Sequence, residues 1–225
     1  GRTVRVLVDR GKPVRLRAVR FSGGTSIPRE RIDKQMTSLK SQGLRKRLLR
    51  PSVLAEDLAA VRALFREEGY TRVVISPPQI SLSADGASAE VDVVIREGTR
   101  FTVGEVSYSG GSAASEEQLR AWTPLRQGET FSPRRLAEAE QALKERFDAL
   151  GYPDVNVESR VELVGERADI VFEIAAGDRK TVGEIAIEGN RITKDRTIAR
   201  ALTFGVGDVA SNQALLASQQ RLYRT

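Results

Sequence analysis

The chain contains neither cysteine nor histidine. The absence of cysteine excludes disulfide bonds and thiolate sites. The absence of histidine excludes Ser-His and Cys-His catalysis and the common histidine-rich zinc sites. Carboxylate chemistry remains open on composition alone, because aspartate and glutamate together number 30. These acidic residues form no cluster that recurs in register along the chain, so the sequence favours a protein that is not an enzyme and needs no metal or cofactor.

Aromatic residues and long apolar runs are also scarce. Aromatics make up 5% of the chain, so any core is expected to be mainly aliphatic. The apolar runs are interrupted by charge and are too short to span a bilayer. The net charge of +6 favours anionic partners such as nucleic acid or lipid headgroups. Basic side chains that only keep the surface hydrated explain the same excess.

One ten-residue phrase occurs three times. TVGEVSYSGG spans 102–111, TVGEIAIEGN spans 181–190, and a more diverged copy, RLRAVRFSGG, spans 15–24. Apolar residues alternate in each copy, which is strand spacing, and Gly23, Gly110 and Gly189 lie at equivalent positions after them. A phosphate-binding loop is an alternative for these glycines, but no G-x-x-x-x-G-K-[ST] or G-x-G-x-x-G pattern follows, which favours a tight turn. The recurrence predicts a repeated unit that opens with a strand.

Two helices are predicted after each strand. The first helix begins at Ser115, which can form a capping box with Gln118, and at Thr193 in the third copy. The second begins at Ser132-Pro133, an N-cap followed by a first-turn proline, and at Ser211 in the third copy.

Two strands are predicted after the second helix. That helix stops at a Gly-Tyr pair, Gly69-Tyr70 in the first copy and Gly151-Tyr152 in the second, where the glycine favours a left-handed turn. Alternating segments at 155–163 and 168–174 flank a turn, as QISLSA and AEVDVVI flank Asp85-Gly86. Each unit therefore has the order strand, helix, helix, strand, strand.

The units divide the chain into four parts. Residues 11–98 and 99–177 form two complete units, called here the first and second repeats, and 178–225 is the start of a third repeat. Residues 1–10 match the last strand of a preceding unit, with VRVLVD at 4–9 corresponding to VDVVIRE. We interpret the sequence as part of a longer protein.

The element order, the phrases VGEVSYSGG and VGEIAIEGN, and the helix ends FREEGY and FDALGY resemble those of POTRA domains. These are polypeptide-transport-associated repeats found in front of outer-membrane β-barrels of the BamA type. The resemblance covers nearly the whole chain and implies an α+β fold, in which each βααββ repeat has a three-stranded mixed sheet covered by two helices. The family has no catalytic residues to transfer.

The resemblance also implies a function and partners. It places the chain on the periplasmic face of the bacterial outer membrane, as a scaffold that binds unfolded outer-membrane protein precursors and accessory lipoproteins for its own C-terminal β-barrel. TamA-like and two-partner secretion transporters share these repeats and are alternatives. A basic nucleic-acid-binding α+β protein is a further alternative, although the basic residues are not interleaved with aromatics for base stacking.

An exposed sheet edge is the predicted client-binding site. The unpaired main chain of an edge strand can accept an added strand from another chain, so that many client sequences are tolerated. By family resemblance the edge is the strand after each Gly-Tyr pair. Its residues are Arg72, Val73, Val74 and Ile75 in the first repeat, and Val155, Asn156, Val157, Glu158 and Val161 in the second. The alternative is that these edges are merely hydrated or covered by neighbours.

A basic cluster separates the two helices of the first repeat. It comprises Lys40, Arg45, Lys46, Arg47 and Arg50. Attraction to an anionic membrane surface is one interpretation. A hydrated loop whose leucines fold onto the domain is the other.

Three further features have structural interpretations. The repeats are joined almost without linkers, so we predict restricted hinges at Gly98-Thr99 and Gly177-Asp178. Glu105 and Glu184 share a position in the phrase and are expected to be charges at a strand edge. Trp122, the single tryptophan, is expected to pack in the core or at a partly exposed contact.

Overall fold

The structure is a computed structural model that describes residues 12–39, 47–191 and 193–224. It divides into two compact units, one ending at Arg100 and the other beginning at Phe101. The strand expected at 4–9 lies outside the described residues.

The first unit is built around a sheet with β4 at its centre. Its elements are β1 (Arg15–Gly23), α1 (Arg29–Gln35), a 3-10 helix (Thr37–Leu39), α2 (Pro51–Glu67), β2 (Val74–Ile75), β3 (Gln79–Leu82) and β4 (Ser88–Arg96). β1 pairs with β4 in parallel, and β2 and β3 both pair with the other side of β4 in antiparallel fashion. β2 and β3 therefore form one edge that is interrupted between them.

The second unit repeats this arrangement and continues into the third repeat. Its elements are β5 (Thr102–Gly110), α3 (Glu116–Trp122), α4 (Pro133–Ala149), β6 (Asn156–Val164), β7 (Arg167–Ala175), α5 (Asp195–Ala201) and α6 (Asn212–Leu222). The sheet order is β5-β7-β6, with β5 parallel and β6 antiparallel to β7. The predicted α+β fold with mixed sheets is confirmed. Among the described residues, the second sheet has the three predicted strands, whereas the first has four, because β2 and β3 are separate strands on the same side of β4.

Each sheet buries one face against its helices. Val91, Val93 and Ile95 of β4 alternate with more exposed residues, as Ile170, Phe172 and Ile174 of β7 do. The second helix of each repeat contributes a phenylalanine to the core, Phe65 from α2 and Phe147 from α4, and both are fully buried. The two cores consist of separate sets of residues.

Helix starts follow the expected caps in the second repeat. Ser115 accepts a hydrogen bond from the Gln118 N–H and the Gln118 side chain accepts from the Ser115 N–H, which confirms the capping box. Ser132 accepts from the Arg135 N–H in front of α4. In the third repeat the prediction for Thr193 was wrong. The N-cap of α5 is Lys194, which has no capping side-chain hydrogen bond, whereas Ser211 caps α6 as predicted.

The repeated Val-Gly-Glu phrase has a local structural cause in β5. The register with β7 shifts between Val103 and Val106, which marks a β-bulge. At this bulge the Asp169 carboxylate of β7 accepts the Glu105 N–H at 2.9 Å. A Cβ on Gly104 would lie 1.8 Å from the same carboxylate oxygen, so only glycine leaves room for it. The glycine and the acidic partner therefore belong to one feature.

The strand predicted at the start of the third repeat does not form. Within the described residues 182–191 there is no strand, although the Val182 N–H donates to the Asp208 carbonyl at 2.9 Å. β1 and β5 are strands because each pairs with a later strand, β4 or β7. The described residues after 191 contain helices but no strand that could pair in this way.

Candidate functional site

The edge of the first sheet formed by β2 and β3 has an outward-facing main chain. The Ser83 N–H donates to the Ser88 carbonyl at 2.9 Å, which fixes the hydrogen-bonding pattern at the turn end of the β3–β4 hairpin. Because hydrogen-bonded and non-hydrogen-bonded pairs alternate in antiparallel strands, the N–H groups of Ile80 and Leu82 point away from β4. Two prolines, Pro77 and Pro78, separate this segment from β2 and supply no N–H donor.

The side chains on β3 expose apolar surface. Ile80 is 44% exposed and Leu82 is 61% exposed. Each lies opposite a buried residue of β4, Val91 or Ala89, and paired residues point to the same side of a sheet. Ile80 and Leu82 therefore lie on the helix side of the sheet, where α2 leaves them uncovered.

A groove runs between α2 and this edge. It has a volume of about 320 Å³ and its lining is mainly apolar. Leu54, Leu58 and Ala59 line it from α2, and Ile75, Pro77 and Ile80 line it from the edge. We call it the α2 groove. An extended segment that paired with β3 would have its side chains next to this groove.

The corresponding edge of the second unit is β6, a continuous strand of nine residues. Val164 pairs with Arg167 around a turn in which Gly165 has a φ of +60°, as expected for a type II′ hairpin. From this pair the alternation directs the main chain of Val157, Ser159, Val161 and Leu163 outward. The face of β6 that points away from the helices is mainly polar. On this face Arg160 forms an exposed ion pair with Glu173 at 2.8 Å.

The other edge of each sheet is partly covered within its own unit. The Leu16 N–H of β1 donates to the Arg47 carbonyl at 2.9 Å. In the same way the Val103 N–H of β5 donates to the Glu129 carbonyl at 2.7 Å. β1 and β5 thus have part of their main chain occupied by the segment that precedes the second helix.

A repeat of this architecture and these motifs is shared with known proteins. The family model for POTRA, described as a surface antigen variable number repeat, matches residues 14–98, 101–177 and 180–225. The chain belongs to the POTRA family. The resemblance seen in the sequence is confirmed.

Individual relatives of these POTRA repeats are distant in sequence. An outer membrane protein assembly factor BamA from Nitratidesulfovibrio vulgaris is 22% identical over 229 residues, which cover 97% of this chain and 29% of the relative. The BamA of Neisseria meningitidis is 23% identical over 205 residues, 88% of this chain and 26% of the relative. The chain thus spans less than a third of the length of these curated relatives.

A solved structure shares the POTRA fold over nearly the whole chain. The crystal structure of Haemophilus influenzae BamA POTRA3-5 superimposes with a TM-score of 0.64 at 22% identity, covering 97% of this chain and 89% of that chain. The fold, including the three consecutive repeats, is therefore shared with BamA-type POTRA arrays.

The residues predicted for the client-binding edge lie in different surroundings. In the first POTRA repeat only Val74 and Ile75 belong to β2, while Arg72 and Val73 precede it, and Val73 is buried. In the second repeat Val155 precedes β6. The other four, Asn156, Val157, Glu158 and Val161, lie on β6, where Val157 is buried beneath α4 and Asn156 and Glu158 are exposed.

The remaining predicted residues can be placed as follows. Arg47 and Arg50 of the basic cluster are exposed, whereas Lys40, Arg45 and Lys46 lie outside the described residues. Gly98 and Gly177, predicted as hinges, have φ values of +74° and +71° and are followed by the exposed residues Thr99 and Asp178.

The two glutamates of the repeated phrase and the single tryptophan lie at the surface or at the edge of the core. Glu105 and Glu184 are exposed. Trp122 is half-buried and packs edge-on against Phe147, with ring centroids 6.0 Å apart. Among the residues that the structure describes, no cluster of acidic side chains is arranged to hold a metal ion. Nor does any helix in those residues have the length and apolarity needed to cross a membrane.

Sequence reasoning missed β3 and the α2 groove as parts of the first repeat's edge. The hairpin signal around Asp85-Gly86 identified β3 as a partner of β4. Since β2 also pairs with β4 on that side, the hairpin itself implies that β3 continues the edge. The sequence pattern could not predict the groove, because the groove depends on how α2 packs across the sheet and which part of the edge it leaves uncovered.

Proposed function

We propose that this POTRA array is a periplasmic scaffold at the outer membrane that binds segments of outer-membrane protein precursors by β-augmentation. The exposed β3 edge beside the α2 groove is the observation that carries the proposal. The BamA relatives are named outer membrane protein assembly factors, and this supports a role for the edge in binding outer-membrane protein precursors.

Main-chain pairing suits a scaffold that must accept many clients. A client segment that pairs with β3 forms hydrogen bonds to the N–H and C=O groups of Ile80 and Leu82, and these bonds do not depend on client sequence. Every second client side chain then points toward the α2 groove, which favours apolar residues at alternate positions. Alternating apolar residues are the pattern of transmembrane β-strands, so the site fits the proposed client class.

β6 offers a second edge of different character. Its outward main chain is longer than that of β3, but its exposed side chains include Asn156, Glu158 and Arg160. We propose that it also pairs with client segments, with less preference for apolar residues. Accessory lipoproteins, the attached β-barrel and an anionic membrane surface near Arg47 and Arg50 complete the proposed set of partners.

We expect Ile80→Pro to weaken binding of an extended peptide to the first repeat. The probe is a fluorescein-labelled decapeptide that alternates valine with threonine or lysine, measured by fluorescence anisotropy. Ile80→Ala serves as the matched control, because it removes the same side chain but keeps the N–H group. Proline should weaken binding by about tenfold more than alanine, since one backbone hydrogen bond contributes about 1 kcal/mol and the strand register is disturbed as well.

The Ile80 variants also define what would contradict the proposal. Circular dichroism and amide exchange of β4 must first show that both variants remain folded. Equal peptide affinity in the proline and alanine variants would mean that β3 does not bind clients through its main chain. Changes in the NMR chemical shifts of the Ile80 and Leu82 amides upon peptide addition provide an independent check.

Ser159→Pro tests the second edge. The Ser159 N–H points away from β7, so a proline there removes an outward donor without removing a bond of the β6–β7 ladder. Binding of the same decapeptide to a variant already carrying Ile80→Pro should fall further, by severalfold. Glu158→Ala, which alters only the polar face, is the control, and an unchanged affinity in folded Ser159→Pro would exclude β6 as a client site.

A further inference from the structure

Asp148 is a buried carboxylate between two repeats. It lies in the last turn of α4 in the second repeat and is 7% exposed. A charged group of this kind is rarely buried unless hydrogen bonds replace its hydration. Its two oxygens accept hydrogen bonds from residues of the third repeat.

The partners of Asp148 are the N-cap residue of α6 and its first two residues. Its carboxylate accepts hydrogen bonds from the Ser211 hydroxyl at 2.6 Å, the Asn212 N–H at 2.8 Å and the Gln213 N–H at 3.1 Å. These N–H groups have no partner inside the helix, and the N-terminal end of a helix favours a negative charge. Burial raises the pKa of Asp148, but these hydrogen bonds outweigh it and leave the pKa below its ordinary value. The carboxylate is therefore charged at neutral pH.

Neighbouring residues extend the same contact. The Asn212 side-chain amide donates to the Pro153 carbonyl at 2.7 Å, and the Lys180 N–H donates to the Gly151 carbonyl at 2.7 Å. The Arg179 guanidinium donates to the Leu150 carbonyl at 3.1 Å. The segment 148–154 thus holds the third repeat at its first residues and at the start of α6.

The residues of this contact differ from those at equivalent positions in the other repeats. α2 and α4 both have proline as their first residue, Pro51 and Pro133, whereas α6 begins with Asn212. Proline has no N–H group. Asparagine at this position of α6 therefore supplies an N–H that donates a hydrogen bond to Asp148. Counting back from the Gly-Tyr pair, the first repeat has Arg66 where the second has Asp148. The acceptor and its donor are both specific to this pair of repeats.

We propose that Asp148 and Asn212 fix the orientation of the third repeat on the second, so that the two move as one body. Asp148 acts as a positioning residue. Its carboxylate accepts hydrogen bonds from N–H groups at the start of α6 that have no partner within the helix. The inference is independent of client binding, because β3 and β6 take no part in it.

Spin labels provide a direct test, because the chain has no native cysteine to remove. Labels are placed through Gln141→Cys on α4 and Gln220→Cys on α6, both exposed positions away from the contact. Pulsed electron spin resonance then gives the distribution of distances between the repeats. We expect a narrow distribution for the parent chain and at least a doubling of its width in Asp148→Asn and in Asn212→Pro.

Asn212→Pro is included because it removes the N–H donor and is still expected to fold. The extended Ser211 has φ and ψ of −136° and 128°, close to the −139° and 123° of Ser132 before Pro133, so a proline fits after it. Asp57→Asn is the matched control, because the buried Asp57 carboxylate also accepts two backbone N–H groups, from Thr37 and Ser38, within the first repeat. It should leave the width unchanged. A parent distribution as broad as the variants, or a folded Asn212→Pro chain with the parent width, overturns the proposal.

Discussion

Gly110→Ala is expected to lower the free energy of unfolding of the second repeat by about 3 kcal/mol. Gly110 ends β5 with a φ of +79°, which is unfavourable for alanine. The added Cβ would also lie 2.2 Å from the Ile174 carbonyl oxygen. That oxygen accepts the Gly111 N–H at 3.1 Å and belongs to the central strand, so it cannot move aside without breaking the sheet.

Gly128→Ala separates the two contributions to this effect. Gly128 has a similar φ of +84°, but a Cβ there meets nothing within 4 Å. Its substitution should cost only the backbone term, about 1 kcal/mol. Urea unfolding followed by the fluorescence of Trp122, the single tryptophan, reports on the second repeat. Equal losses in the two variants would show that the close approach to Ile174 is unimportant.

Phe147→Ala should destabilise the second repeat by about 3–5 kcal/mol. The Phe147 ring is completely buried and packs edge-on against both Trp122 and Tyr152, with centroid distances of 6.0 and 6.1 Å. Removal leaves a cavity that the surrounding side chains of this small core close only in part. The same urea titration measures the loss, with circular dichroism as a second probe because Trp122 itself touches the site.

Leu150→Ala is the control for Phe147. Leu150 lies one turn further along the same helix end and is exposed, so its truncation should cost less than about 1 kcal/mol. If Phe147→Ala cost no more than this, the buried face of α4 would not be what stabilises the core of the second repeat. Phe65 occupies the equivalent buried position in the first repeat and should behave in the same way.

Much of the fold follows from local patterns in the sequence. Alternating apolar residues located β1, β5, β6 and β7, and Ser115 and Ser132 located two helix starts, because strand spacing and caps depend on neighbours in the chain. The strand expected at 182–187 failed for the opposite reason. Its apolar alternation is suitable, but a strand also needs a hydrogen-bonded partner strand, and local sequence does not specify where in the chain that partner lies.

The features of the candidate sites were harder to predict because they depend on tertiary contacts. From sequence alone, a carboxylate near a helix end, such as Asp148, is indistinguishable from a hydrated surface charge. Its burial depends on the contact with α6, which is distant in the sequence. Similarly, Gln79–Leu82 was identified as half of a hairpin, yet its place on the outer edge depends on the sheet order.

The pair Pro77-Pro78 has a consequence for self-association. An uninterrupted edge from Val74 to Leu82 could template pairing between copies of the chain and lead to aggregation. The prolines remove two amides from this stretch and leave β3 only four residues long, too short for a stable intermolecular sheet without a complementary occupant in the adjoining groove. Under the proposed function, the same interruption limits pairing with a client segment to the four residues of β3, which favours its release.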